Sequence, residues 1–224
     1  MKLRIVEEGW WHVLGALVIF GVAGALCGRA EWSRAAAVLY SLAAIGALFM
    51  LYFFRDPDRQ APKDPRALVA GADGLIRAIE VMSEDTFLKT QAVRVSIFLS
   101  PLDVHVNRIP MGGKVAGLSY TPGKHLLTIS NQSSEFNEHS SIYVEGAQTR
   151  CLVRQIVGPI VRRVVYWLKP LQRLEKGDRI GMMKFGSRLD MYFPAAEVEV
   201  KVKKGDRVRA GETVVATLKK ETKA

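Results

Sequence analysis

The sequence predicts a mainly β domain preceded by an N-terminal transmembrane helical hairpin. Three observations predict it. Two uncharged apolar runs, residues 13–28 and 35–54, fill the first quarter of the chain. Beyond them the texture changes to short apolar segments bounded by Gly, Pro and Asp, which read as strands. Only residues 148–168 carry helical spacing there, with Leu152, Ile156, Ile160 and Val164 at every fourth position.

The run 35–54 is twenty residues long, and at about 1.5 Å per helical residue it spans roughly 30 Å of hydrocarbon. The run 13–28 is shorter, and Trp10, Trp11 and His12 extend it into the headgroup layer. A signal peptide would also place Lys2 and Arg4 before an apolar stretch, but a second, longer run argues against one. Leu26 precedes Cys27 where lipoprotein processing needs a small residue, so lipidation is not expected. Arg29 and Arg34 lie in the short connection, whereas Lys2 and Arg4 precede the hairpin and Arg55, Arg59, Lys63 and Arg66 follow it. The positive-inside rule then favours both ends of the anchor, residues 1–54, on the cytoplasmic side of the membrane.

Residues 55–66 are charged and contain Pro57, Pro62 and Pro65, so they predict a linker before a second domain at 67–224. Strands are predicted at 75–81, 92–99, 113–118, 126–129, 141–144, 180–185, 189–193, 198–202 and 213–218. One turn occurs twice, as Lys176-Gly177-Asp178-Arg179-Ile180 and Lys204-Gly205-Asp206-Arg207-Val208. Such turns resemble those of barrel-sandwich domains of the lipoyl or biotinyl type, which gives the predicted α+β domain barrel-sandwich-like elements. No Met-Lys-Met tip follows either turn, so both are predicted to be structural, with glycine for the tight bend and aspartate as its cap.

The formal net charge is +10, and residues 1–54, with four basic and three acidic side chains, carry only +1 of it. Such a surface suits anionic lipid or nucleic acid, and also serves simply to solubilise. Attachment to a bilayer favours lipid, and no nucleic-acid-binding module accompanies the charge. Cys27 and Cys151 fall in different environments and predict no disulfide, while the scattered His and Cys offer no metal-ligand spacing.

Chemistry concentrates in Gly181-Met182-Met183-Lys184-Phe185-Gly186-Ser187-Arg188-Leu189-Asp190. A glycine carbonyl has no side chain shielding it, so the Ser187 hydroxyl can fold back onto the Gly186 carbonyl when a base takes its proton. β-Elimination of the resulting ester expels the Gly186 carboxylate and leaves a dehydroalanine that hydrolyses to a pyruvoyl group, an electrophilic carbonyl able to act as an electron sink. By itself a Gly-Ser pair also reads as a strand end or a turn. Of the four histidines, His12, His105, His125 and His139, His105 follows an apolar strand in Leu99-Ser100-Pro101-Leu102-Asp103-Val104-His105. On that ground alone it is equally an ordinary surface or core histidine.

The run ending in Phe185-Gly186-Ser187 resembles the processing site of phosphatidylserine decarboxylases, in their short bacterial form. Four further segments resemble that family in the same order: Phe53-Phe54-Arg55-Asp56-Pro57-Asp58-Arg59, Ala72-Asp73-Gly74, Ser100-Pro101-Leu102-Asp103-Val104-His105-Val106-Asn107-Arg108 and Gln155-Ile156-Val157-Gly158-Pro159-Ile160-Val161-Arg162-Arg163. The resemblance covers the chain from about Phe53 to Pro194. It implies autocatalytic serinolysis between Gly186 and Ser187, a large β chain and a small α chain, and a covalent pyruvoyl cofactor derived from Ser187. It further implies decarboxylation of membrane phosphatidylserine to phosphatidylethanolamine, with neither metal nor bound coenzyme.

In the family the aspartate of the Asp-Gly motif orients the histidine, so the implied catalytic residues are Ser187, His105 and Asp73. Asp73-Gly74 also reads as a type I′ hairpin turn, and Asp103 is a competing carboxylate that could equally order its loop. The predicted helix would set Arg162 and Arg163 at lipid-phosphate level as substrate contacts, or else pack on the sheet. The chain departs from the family in three places: Arg108 stands where the longer form has a second histidine, Pro122-Gly123-Lys124-His125 replaces Pro-Gly-Lys-Phe followed by Asn-Ala, and Asn137-Glu138-His139 replaces Asn-Glu-Arg. Other readings are a non-enzymatic membrane adaptor, a pyruvoyl enzyme for a soluble amino acid, and a decarboxylase of archaetidylserine, whose reacting headgroup is the same. The sequence leaves a homo-oligomer open.

Overall fold

The computed structural model describes residues 3–128, 133–159, 164–184 and 186–219. The chain forms two compact units, Met1–Asp58 and Arg59–Ala224. In the first, β1 (Leu3–Ile5) precedes α1 (Glu7–Arg29) and α2 (Ser33–Phe53), and β2 (Arg55–Pro57) pairs back on β1 in antiparallel register, with Leu3 opposite Pro57. That pairing holds the two ends of the hairpin together. Glu7 and Glu8 in the first turn of α1 and Arg29 in its last complement the helix dipole. Both helices are long and apolar enough to cross a membrane. Gly24, Ala36, Ala43 and Ala47 are buried, whereas Leu14, Ile19, Val38, Ile45 and Leu48 face outward. Small residues inside and large apolar ones outside suit a hydrocarbon solvent, where close backbone approach, not expulsion of water, holds helices together.

The second unit is built from β3 (Ala67–Val69), β4 (Gly74–Glu84), β5 (Thr90–Leu99), β6 (Val106–Arg108), β7 (Gly113–Thr121), α3 (Ser133–Phe136), β8 (His139–Glu145), β9 (Arg150–Ile156), β10 (Val164–Tyr166), β11 (Arg173–Leu174), β12 (Arg179–Met183), β13 (Ser187–Pro194), β14 (Val198–Val200), β15 (Arg207–Val208) and β16 (Val214–Leu218). Eight strands form an antiparallel sheet that curls into a half-barrel, in the order β11-β7-β8-β9-β13-β5-β4-β15. Two three-stranded sheets, β10-β12-β6 and β14-β16-β3, complete the described part. The main core, including Ile76, Val95, Ile97, Ile142, Leu189 and Met191, lines one face of the large sheet, and a smaller cluster of Leu88, Ala92, Leu152 and Tyr192 covers part of the other.

The repeated Lys-Gly-Asp turns are structural, and they are used alike. Gly177 and Gly205 take φ of +89° and +96°, a left-handed bend that glycine adopts without steric cost. Asp178 Oδ2 accepts from the Glu175 amide at 2.7 Å, and Asp206 Oδ2 accepts from the Lys203 amide at 2.9 Å. Each turn then docks on one isoleucine: Gly177 N donates to Ile109 O and Ile109 N to Asp178 O, just as Gly205 N donates to Ile76 O and Ile76 N to Asp206 O.

The helix predicted at 148–168 is not formed. Residues 150–156 are β9, residues 164–166 are β10, and residues 160–163 lie outside the described part. β9 sits between β8 and β13 and is covered on both faces, so Cys151, Leu152, Val153 and Ile156 are all buried. A strand buried on both faces loses its two-residue alternation and imitates a helical pattern. The strand predicted at 126–129 is also absent: residues 126–128 form a loop, and Ile129 is outside the described part. Asp73-Gly74 is not a two-residue hairpin turn, because Gly74 opens the eleven-residue β4.

Candidate active site

The chain leaves one sheet at the end of β12 and enters the large sheet at Ser187, the first residue of β13. Gly186 forms the corner with φ of +71°. In that left-handed region a side chain would strain the backbone, which explains the glycine. Ser187 pairs with Leu99 of β5. Its side chain is fully buried, and among the described residues Oγ has no hydrogen-bond partner. A buried hydroxyl left unsatisfied costs about 1–3 kcal/mol, a cost that a functional role would explain.

Two residues meet the carbonyl beside it. Thr128 Oγ1 donates to Gly186 O at 3.1 Å. Gly158 comes so close that a Cβ there would lie 2.0 Å from Gly186 O and 3.5 Å from Thr128 Cγ2. Asn137 ties the two together: Oδ1 accepts from Leu126 N at 2.9 Å, and Nδ2 donates to Leu126 O at 2.8 Å and to Val157 O at 2.9 Å. One buried amide thus fixes the loop that carries Thr128 and the strand end that carries Gly158.

His105 is fully buried just before β6, and its carbonyl accepts from Met183 N of β12 at 3.2 Å. Nδ1 lies 2.9 Å from the carbonyl oxygen of Asp103. A carbonyl can only accept, so Nδ1 carries the proton and Nε2 is the basic nitrogen of the neutral ring. The Asp103 carboxylate orders its own loop, with Oδ2 accepting from Ser100 N at 2.8 Å. A buried chain of side-chain bonds joins this region to the large sheet: Ser140 Oγ to Gln155 Oε1 at 2.9 Å, and Gln155 Nε2 to Asn107 Oδ1 at 2.8 Å.

Asp73 ends the segment before β4. Oδ2 accepts from Arg59 Nη2 and Oδ1 from Ala210 N, at 2.8 and 2.7 Å. Burial pushes the Asp73 carboxyl above its usual range, against the pull of the Arg59 guanidinium and the Ala210 amide, and the charge of Asp103 adds to the rise. Arg162 and Arg163 lie outside the described residues. Among the described residues no cluster of His, Cys, Asp or Glu could hold a metal ion, and both cysteines are free, with burial pushing the Cys151 thiol up to about 12.

Thr128, Gly158, Asn137 and Gln155 are absent from the residues that sequence reasoning selected. Gln155, Gly158 and Asn137 lie within family-like segments of the sequence, and the available signal for Gly158 was a Gly-Pro pair inside the predicted helix 148–168. Thr128 meets Gly186 across 58 positions of sequence, and nothing local marks it.

The description "Phosphatidylserine decarboxylase" belongs to the family model that matches residues 47–216. The chain is similar to the phosphatidylserine decarboxylase proenzyme of Carboxydothermus hydrogenoformans, 41% identical over 217 residues that cover 97% of this chain and 98% of the relative. The proenzyme of Symbiobacterium thermophilum is 39% identical over 219 residues, with the same coverage. That of Desulfotalea psychrophila is 41% identical over 182 residues, 81% of this chain and 85% of the relative. Similarity on this scale runs through the corner at Gly186 and Ser187 and through both units, and the chain belongs to the phosphatidylserine decarboxylase family.

Proposed function

We propose that this chain is a membrane-anchored proenzyme that cuts itself between Gly186 and Ser187 and then decarboxylates phosphatidylserine to phosphatidylethanolamine. The family is pyruvoyl-dependent, and the residues at the corner fit the making of that group. The observation that carries the reading is the buried Ser187 Oγ, without a hydrogen-bond partner among the described residues, beside a glycine carbonyl already held by hydrogen bonding.

In this reading His105 Nε2 takes the Oγ proton, and Oγ adds to the Gly186 carbonyl carbon. The C–N bond breaks, the Ser187 nitrogen takes a proton, and an ester joins the two halves. Loss of the Ser187 α-proton then expels the Gly186 carboxylate from Cβ. The dehydroalanine left behind adds water and releases ammonia. Asp73 contributes a negative charge that favours the imidazolium form of His105. The pyruvoyl carbonyl supplies the electrophile that takes the lipid's amine and accepts the electron pair freed when carbon dioxide leaves. His105 holds a proton at Nε2 for return to the former α-carbon.

The hairpin supports a substrate that stays in the bilayer, and the excess of Lys and Arg beyond it supports contact with anionic headgroups at the cytoplasmic face. Intact mass is the test. Two fragments parted at Gly186 and Ser187, the smaller with a blocked N-terminus, are expected, with carbon dioxide released from phosphatidylserine vesicles but not from free serine. An active protein with a continuous backbone would overturn the reading.

A further inference from the structure

Thr128 and Gly158 both meet the carbonyl oxygen of Gly186, one offering a donor and the other, by lacking a side chain, the room that oxygen needs. We propose that the Thr128 hydroxyl is a catalytic residue of self-cleavage, stabilising the charge that develops on Gly186 O when Ser187 Oγ adds to the carbonyl carbon. The inference rests on the reading of Gly186-Ser187 as the bond that breaks.

A carbonyl oxygen has no proton, so the 3.1 Å contact is donated by Oγ1 of Thr128. In the planar amide that oxygen bears only a partial charge. As the Oγ–C bond forms and His105 takes the hydroxyl proton, the π pair moves onto Gly186 O, which becomes a full oxyanion. The pair returns as the C–N bond breaks and the nitrogen takes the proton. A donor fixed beforehand in a site that excludes water strengthens as that charge grows, and needs no reorganisation. Thr128 is 3% exposed, so water hardly competes. Asn137 anchors the loop leading to Thr128 and the strand end leading to Gly158, which keeps the donor and the open space in register.

The full chain made by cell-free translation in detergent micelles, pulse-labelled and followed on denaturing gels, gives the rate of cleavage. Thr128→Val keeps the shape and removes the donor, and is expected to slow cleavage about 10²-fold. Thr128→Ser restores the donor and is expected to keep most of the wild-type rate. Hydroxylamine, which breaks esters, should cut little of the Thr128→Val chain, because the block precedes ester formation. In a Ser187→Ala background, Thr128→Val should melt with its parent. Equal cleavage of wild type and Thr128→Val overturns the proposal, as do an equally slow Thr128→Ser chain, rapid cutting of Thr128→Val by hydroxylamine, or a lost melting transition. Failure of the wild type to cut itself would instead defeat the reading of the scissile bond.

Discussion

Arg188 and Asp190, two positions apart on β13, pair through Nε and Oδ1 at 2.8 Å with both side chains fully buried. Strand alternation puts them on the face opposite Ser187. Arg188 Nη2 also donates to Ser96 Oγ, and Ser134 Oγ donates to Asp190 Oδ2, both at 2.6 Å. The pair occupies the central strand immediately after the bond proposed to break, and pins the register of β13 against β5. Removing Arg188 takes from the buried Asp190 its hydrogen-bonded cation and leaves only the more distant pull of Arg94. Arg188→Met is therefore expected to destabilise the chain by about 3–5 kcal/mol. The double variant Arg188→Met, Asp190→Asn should recover part of that loss. Denaturant titration in detergent checks both, and equal loss in the single and double variants would contradict the account.

His105 and Asp73 define a second expectation. His105→Ala removes the base and should leave a single uncut chain, as Ser187→Ala should by removing the nucleophile. Asp73→Asn keeps an acceptor for the Ala210 amide but deletes the charge. Cleavage is expected to slow by roughly 10²- to 10⁴-fold, the upper figure being that of a triad aspartate replaced by asparagine. The smaller end of the range suits this site, because the Asp103 carbonyl already holds the proton on Nδ1. Normal processing of His105→Ala on a denaturing gel would remove the histidine from the mechanism.

Legibility in the sequence followed how far each signal reached along the chain. α1 and α2 were plain because uninterrupted apolar runs need no partner to be recognised. β4, β5 and β13 were plain because Gly, Pro and Asp bound them. The Lys-Gly-Asp turns were legible in full, cap included, since glycine and aspartate act within three residues of each other. β9 was misread because burial on both faces erased its alternation: Arg154 reaches Glu84 and Gln155 reaches Asn107, so even its polar residues face protein. The grip on Gly186 O was invisible because its two parts come from a loop and a strand end that meet only after folding.

Gly158 yields a third expectation. A methyl group there would sit 2.0 Å from Gly186 O, well inside contact distance, so Gly158→Ala must push the carbonyl aside. The displacement also disturbs the contact between Gly186 O and Thr128. Misplacing a reacting group by about 1 Å can cost on the order of 10²-fold, and cleavage should slow by about that much in the pulse-labelled assay. Undiminished cleavage would mean that the close approach has no bearing on the chemistry.

His139 sets a pH dependence whose sign can be worked out. Its ring is buried, with Nδ1 2.8 Å from Asn137 O. Burial holds its pKa below the usual histidine value; Arg154 adds to that lowering, while the Asn137 carbonyl and Asp190 oppose it. The folded chain therefore keeps the ring neutral where an unfolded chain, with a pKa of about 6.5, takes up a proton. By linkage, this contribution to stability is fully present above about pH 6.5 and is lost as pH falls through the unfolded value towards the lower folded one. His139→Gln cannot titrate and can still donate to Asn137 O. In a Ser187→Ala background, melting temperature should therefore fall less steeply for His139→Gln than for its parent between about pH 7 and 5. Parallel slopes would show that the acid sensitivity of the fold lies in other groups.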